Sequence, residues 1–267
     1  MAPIIHQNNF MILAGSKPCR IISLVPSQTE LLCHLGLDEE VVGITKFCVY
    51  PEAWFNSKTR IGGTKTIDID KVTALQPDLL LANKEENVKE QIEALSAICP
   101  VYVSDISSLD DALEMIRQVG LLVNTQARAV ETADQILDAF SHLHAGGGKM
   151  SVAYLIWRNP YMAAGGDTYI SDLMELCGFE NVFIDELRYP EITIERLQLE
   201  QCDLLLLSSE PYPFKEHHIA ELQLQLPHTK IILVDGEMFS WYGSRLLLAP
   251  AYFMRLQQVL MGNSSVG

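Results

Sequence analysis

Basic residues are scarce in this chain. Only 19 Lys and Arg stand against 34 Asp and Glu, for a formal net charge of −15 over 267 residues. A field of that sign repels phosphate backbones, which argues against non-specific nucleic-acid binding, and it disfavours adhesion to anionic lipid. No apolar run approaches the roughly 20 residues needed to span a bilayer. The six cysteines (Cys19, Cys33, Cys48, Cys99, Cys177, Cys202) form no C-x-x-C pair and no finger-like spacing, so no thiolate metal site is expected. Cys33, Cys177 and Cys202 sit in apolar patterns and read as buried thiols, which fits a reducing compartment better than an oxidising one. G-x-S-x-G, H-E-x-x-H and G-x-G-x-x-G are all absent, so no catalytic residue and no intrinsic cofactor is assigned. His217-His218 with Glu221 invites a zinc reading, but adjacent histidines point to different helix faces, and a solvated face is expected. Gly165-Gly166-Asp167-Thr168 lacks the Lys of a phosphate loop and reads as a turn plus helix cap. The first 20 residues show no basic segment ahead of their short apolar patch, so no signal peptide is visible. A cytoplasmic location is expected, or a periplasmic one if a signal has been removed.

What is present is an alternation of short apolar runs and helical patterns. Arg20–Val25, Val41–Ile44, Leu79–Ala82 and Val101–Val103 read as buried strands, with a helix over 87–98. Ser27-Gln28-Thr29-Glu30 has the form of a capping box, opening a helix that stops at Gly36. The second half repeats the rhythm: strands at 152–156, 204–207 and 231–234, helices from Thr168 to Gly178, over 217–226 and over 246–260. This predicts an α/β fold of two three-layer, Rossmann-like lobes with central parallel sheets. Between them, Asn124-Thr125 caps a helix to about His144. Its apolar positions Ala127, Val130, Ala133, Ile136, Leu137, Phe140 and Leu143 are followed by Gly146-Gly147-Gly148. That helix reads as a spine joining the lobes, or as a surface helix of one larger domain. The expected division is an N-terminal lobe over 19–123, the spine over 124–145 and a C-terminal lobe over 146–267.

One pattern occurs twice. Asp70-Lys71-Val72 with Gln76-Pro77-Asp78-Leu79 matches Glu195-Arg196-Leu197 with Gln201-Cys202-Asp203-Leu204. Asp70 to Glu195 and Asp78 to Asp203 are both 125 residues apart. The same supersecondary piece is used once per half, and proteins of two similar lobes usually work in the cleft between them.

The stretch Arg20–Ser27 with Thr29-Glu30-Leu31 resembles the opening of the helical-backbone substrate-binding proteins of ABC importers, nearest to the cobalamin and ferric-siderophore branch. Tyr50-Pro51, Leu75-Gln76-Pro77-Asp78, Asn159-Pro160, Cys177–Phe183 and Trp241 fall in that family's order, and the likeness spans about residues 19–260. The resemblance implies a non-catalytic receptor that captures a corrinoid (cobalamin) or iron chelate (ferric siderophore or haem) between its lobes. It implies an ABC permease as partner, docked through one carboxylate per lobe; by position these are Asp70 and Glu195. The residues themselves leave open a plain capping role for both, since each falls at the start of a short helix. A monomer is expected. The alternative is a cytoplasmic two-lobed corrinoid- or metal-handling protein, or an enzyme, using the same cleft.

Aromatics gather in the strand-to-helix loops, where open α/β sheets bind ligands. The expected ligand-binding set is Tyr50, Lys65, Trp157, Tyr161, Tyr189, Trp241, Tyr242 and Arg245. Flat rings suit a large planar ligand, although loop aromatics also serve as lid packing. Where the cobalamin branch offers tryptophans, this chain has Thr64 and Asn83, and Tyr189 stands for another. Arg60, Lys65, Lys84, Arg158 and Arg245 place cations in these loops, which suggests an anionic or chelated ligand.

Overall fold

In the computed structural model, residues 2–11, 17–143, 150–260 and 262 are described. The triglycine after the proposed spine lies outside them. The chain divides into two compact units. The first holds the residues up to Ile106 together with Asp110–Leu137 and Tyr242–Arg245. The second holds Ser107–Leu109, Asp138–Trp241 and the residues from Leu246 onward.

The first unit is built in chain order from β1 (Ile4–His6), β2 (Ile21–Ser23), α1 (Pro26–His34), β3 (Val41–Ile44), α2 (Glu52–Ser57), β4 (Thr59–Arg60), the small hairpin β5 (Gly62–Gly63) and β6 (Thr66–Ile67), α3 (Ile69–Ala74), β7 (Leu79–Asn83), α4 (Lys89–Leu95) and β8 (Val101–Ser104). Its sheet has the order β1-β8-β7-β2-β3-β4, with every neighbouring pair parallel. All five residues of β7 are buried. Successive side chains of a strand point to opposite faces, so both faces of the sheet are covered, as a three-layer α/β arrangement requires.

Two helices follow, α5 (Leu109–Leu122) and α6 (Gln126–Ser141). The reading above missed α5. The left-handed φ of +58° at Asn124 breaks the helix between them. In α6 the buried stripe is Ala129, Thr132, Ala133, Ile136 and Phe140, whereas Val130 and Leu137 are exposed. The division between units falls inside α6, after Leu137.

The second unit comprises β9 (Met150–Trp157), β10 (Tyr161–Ala163), α7 (Tyr169–Leu176), β11 (Phe179–Asn181), β12 (Glu191–Ile192), α8 (Ile194–Glu200), β13 (Leu204–Ser208), α9 (Glu216–Gln223), β14 (Lys230–Val234), α10 (Gly236–Ser240) and α11 (Ala249–Leu260). Strands β11, β9, β13 and β14 run parallel, and the sheet is extended by β10, antiparallel to β9, and then by β12, antiparallel to β10. Ala153, Leu155, Leu205, Leu207, Phe183 and Leu222 form its core.

Local signals held where chemistry is local. Thr168 caps α7, accepting from the Ser171 N–H at 3.2 Å. Gly36 and Gly178 follow their helices with φ of +83° and +76°. The capping box at Ser27 was an error: Pro26 is already the first helical residue, and Val25 precedes it without a side-chain cap. Proline suits that position because its missing N–H would be unpaired there anyway. The duplicated segment is duplicated in backbone as well. Gln76 and Gln201 both take left-handed φ, +47° and +49°. Asp78 accepts from the N–H groups of Cys19 and Arg20 at 2.8 and 2.9 Å, at the entry to β2. Asp203 accepts from the Ser151 N–H at 2.9 Å and its hydroxyl at 2.7 Å, at the entry to β9. Each unit thus uses one carboxylate to fasten two adjacent strands. No helix among the described residues is long and apolar enough to cross a membrane.

Candidate functional site

The carboxyl ends of β2, β3, β7 and β8 share one edge of the first sheet, because the strands are parallel. Thr29, on α1, brings its hydroxyl to 2.8 Å from Ser23 Oγ and 3.0 Å from Cys48 Sγ. Thr45 Oγ1 lies 3.2 Å from the same thiol. Burial pushes the Cys48 thiol up, so it stays protonated and serves as a fastening rather than a nucleophile. The fastened loop, residues 45–51, carries Phe47, Val49 and Tyr50 exposed; Tyr50 is 41 % exposed.

Arg245 meets Tyr50 in this unit. Its guanidinium carbon stands 4.5 Å from the Tyr50 ring centroid. The same guanidinium grips Glu30 through Nε (3.0 Å) and Nη2 (2.8 Å). Tyr242 and Arg245 are both buried, the latter at 9 % exposure. Gly243 between them has φ of +100°, and a Cβ there would sit 3.1 Å from the Ser27 carbonyl oxygen. Lys65, on the β5–β6 hairpin, is exposed and donates Nζ to the Glu85 carbonyl.

Thr64 and Asn83, where tryptophans were the family expectation, are buried tethers. Asn83 Oδ1 accepts from Glu85 N (2.8 Å) and Glu86 N (3.1 Å), and its Nδ2 donates to Ser104 Oγ at 3.0 Å. The Thr64 carbonyl accepts from Asn87 Nδ2 at 3.0 Å.

In the second unit Trp157 ends β9 and is 40 % exposed. Its ring stands edge-on to Tyr212 at 5.8 Å between centroids. Tyr161 opens β10, half-buried and paired in register with Ile192. Arg158 Nη2 donates to Glu221 at 2.5 Å, and the hydroxyls of Tyr212 and Tyr161 lie near its guanidinium, whose Nε is buried without a partner among the described residues. The solvated face expected for His217-His218 is half wrong. His218 is buried, its Nδ1 accepts from the Lys215 N–H at 2.8 Å, and its Nε2 lies 3.3 Å from the Tyr212 hydroxyl. Burial, with His217 and Arg158 nearby, holds the His218 pKa below its ordinary value. The missed signal was the spacing of Lys215 and His218, which places the ring over its own helix start. Trp241 is buried and donates Nε1 to Glu210 at 2.8 Å. Tyr189 is half-buried, with Arg188 5.7 Å from its ring centroid.

Arg60 donates to the Phe55 carbonyl, Lys65 to the Glu85 carbonyl, Lys84 to Asp105 at 2.6 Å, Arg158 to Glu221 and Arg245 to Glu30. Each already has an acceptor, three of them carboxylates. Asp70 and Glu195 occupy the same place in the repeat, the second residue of α3 and of α8. The caps are their neighbours: Asp68 accepts from Lys71 N and Thr193 from Arg196 N. Asp70 and Glu195 are therefore exposed and not needed as caps, although bonds from its own N–H and the Thr193 hydroxyl hold the Glu195 carboxyl below the usual range.

A cavity of about 440 Å³ in the first unit is lined by His6, Lys84, Lys89 and Asp105, and one of about 510 Å³ in the second by Gln198, Cys202 and His228. Neither involves the expected ligand set. Among the described residues no group of three or more His, Cys, Asp or Glu could hold a metal ion.

This arrangement has counterparts. The profile of a family described as "Periplasmic binding protein" matches residues 21–224. The vitamin B12-binding protein of Pectobacterium carotovorum is 27 % identical over 245 residues, covering 88 % of this chain and 87 % of that one. The periplasmic vitamin B12 binding protein of Vibrio cholerae superposes with a TM-score of 0.77 at 23 % identity, over 91 % of this chain and 98 % of that one. The periplasmic haem-binding protein of the same species gives 0.76 at 21 % identity, over 90 % and 98 %. The relatives are binding proteins. With more than half its length matched by that profile, the chain belongs to the periplasmic binding protein family.

Proposed function

We propose that this protein is the substrate-binding component of an ABC importer and that its ligand is a corrinoid. The observation that carries the reading is an exposed aromatic face near the carboxyl ends of the parallel strands in each unit: Tyr50 on its fastened loop, and Trp157 backed by Tyr212. Rigid flat rings bury a large planar ligand at small entropic cost. Haem and ferric chelates suit the rings equally well. Their acidic groups would call for uncommitted cations, and three of the five loop cations named above are paired with carboxylates. A neutral planar ligand fits better, in line with relatives named for vitamin B12. Lys65, Tyr161, Tyr189, Trp241, Tyr242 and Arg245 complete the proposed set, the last three as supports for their neighbours. The ligand would be cargo, with no intrinsic cofactor. A permease would read Asp70 and Glu195, and the working location would be extracytoplasmic, with the protein a monomer.

A second reading, a cytoplasmic corrinoid-handling protein, is favoured by one observation: all six cysteines are free thiols. Fractionation of the native host distinguishes the two. The ligand test is titration calorimetry with cyanocobalamin, hemin and a ferric hydroxamate. Cyanocobalamin should bind most tightly, in the micromolar range or better. Binding weaker than about 100 μM (about −5.5 kcal/mol) would overturn the assignment.

A further inference from the structure

The second unit contains a polar assembly that the expected ligand set only touches: Arg158, Tyr161, Tyr212, His218 and Glu221. Its hydrogen bonds have a fixed direction. The Lys215 backbone N–H can only donate, so His218 Nδ1 must accept, at 2.8 Å. A neutral imidazole then carries its proton on Nε2. That N–H points at the Tyr212 hydroxyl 3.3 Å away, and the phenol oxygen is the acceptor. Arg158 has donors only, and its guanidinium lies near the Tyr212 and Tyr161 hydroxyls. The imidazole N–H therefore donates to a phenol oxygen that has a guanidinium close by. The hydroxyl hydrogen of Tyr212 has no acceptor among the described residues, and Tyr212 is only half-buried. Glu221 is salt-bridged to Arg158, so the assembly carries little net charge.

We propose that Tyr212, supported by Arg158 and His218 and flanked by Tyr161 and Trp157, is a subsite that donates a hydrogen bond to a neutral carbonyl oxygen at the rim of the ligand. A phenol that accepts from an imidazole N–H beside a guanidinium is polarised into a better donor. A surrounding in which Arg158 is already paired with Glu221 favours an amide or ketone oxygen over a carboxylate. The ring of Trp157, edge-on to Tyr212, supplies the apolar wall beside it. The subsite rests on the corrinoid reading, since a corrinoid carries primary amides around a planar ring.

The experiment has two arms on the full chain. In the first, cyanocobalamin is titrated into the wild type and into Tyr212→Phe, which keeps the ring and removes the hydroxyl. The expected result is a roughly tenfold weaker affinity with an unchanged melting temperature. Equal affinity in both proteins would overturn the subsite alone. If the wild type does not bind cyanocobalamin, the corrinoid reading and the subsite's ligand fall together, whether or not hemin binds. In the second arm, long-range ¹⁵N NMR reads the His218 tautomer at pH 7.5 with no ligand present. A proton on Nε2 is expected. A proton on Nδ1 would make Tyr212 the donor to His218 and overturn the subsite whatever the ligand.

Discussion

Replacing Glu30 with Ala should expose how the segment Tyr242–Arg245 is held to the first unit. Arg245 keeps only 9 % of its surface exposed and is salt-bridged to Glu30, at 2.8 and 3.0 Å. Removing one member of a fully buried pair costs about 3–5 kcal/mol, because the other charge is left desolvated. The Glu30 side chain is 23 % exposed, so water can reach part of the gap, and about 2–3 kcal/mol is the reasonable figure. At about 2–4 °C per kcal/mol for a chain of this size, thermal unfolding followed by circular dichroism should drop by about 5–10 °C. Arg245→Met alone should cost a comparable amount, since it strands Glu30 and also removes the cation stacked on Tyr50. The double variant should recover much of the loss, with a coupling energy of about 1–3 kcal/mol. A shift below about 2 °C in Glu30→Ala, or losses in the two single variants that simply add, would refute the reasoning.

Two further outcomes are expected. His218 is neutral in the fold and its pKa lies below the ordinary 6.5, through burial first and then the charges of His217 and Arg158 against Glu221. Its contribution to stability is therefore complete above about pH 6.5 and lost as pH falls through the lowered value. The melting-temperature gap between wild type and His218→Asn should shrink from pH 7.5 to pH 5, and a constant gap would refute it. Asp70→Ala and Glu195→Ala should leave ligand affinity unchanged and cut uptake at least tenfold in proteoliposomes bearing the host permease. Unchanged uptake would remove their docking role.

The features that were legible in the sequence are those with local causes. Apolar runs gave β3, β7, β8, β13 and β14 nearly to the residue, since a strand buried on both faces has little choice of composition. Thr168, Gly36 and Gly178 were readable because capping and left-handed turns are settled within one helical turn. The 125-residue repeat was visible as letters, but its meaning was not. Asp70 and Glu195 drew attention as helix-start carboxylates, whereas Asp78 and Asp203 turned out to fasten strands whose entries lie 52 to 59 residues away in sequence. Nor could β1 be read, since three residues become a strand only by pairing with β8. His218 was misread for a different, local reason: its ring folds back onto the Lys215 N–H at the start of its own helix and meets Tyr212 six residues before it.

The scarcity of positive charge belongs in the same account. The sequence alone determined the acidic balance, the α/β rhythm, the aromatic loops and the family resemblance, because these follow from composition and short-range order. It suggested that the few cations in the loops were collected for an anionic ligand. Tertiary structure decided which partners two of them take. Arg158 and Arg245 are committed to Glu221 and Glu30, 63 and 215 residues away along the chain. A buried guanidinium must find a carboxylate or change the fold around it. Which carboxylate it finds is a matter of packing, and no spacing in the sequence records it.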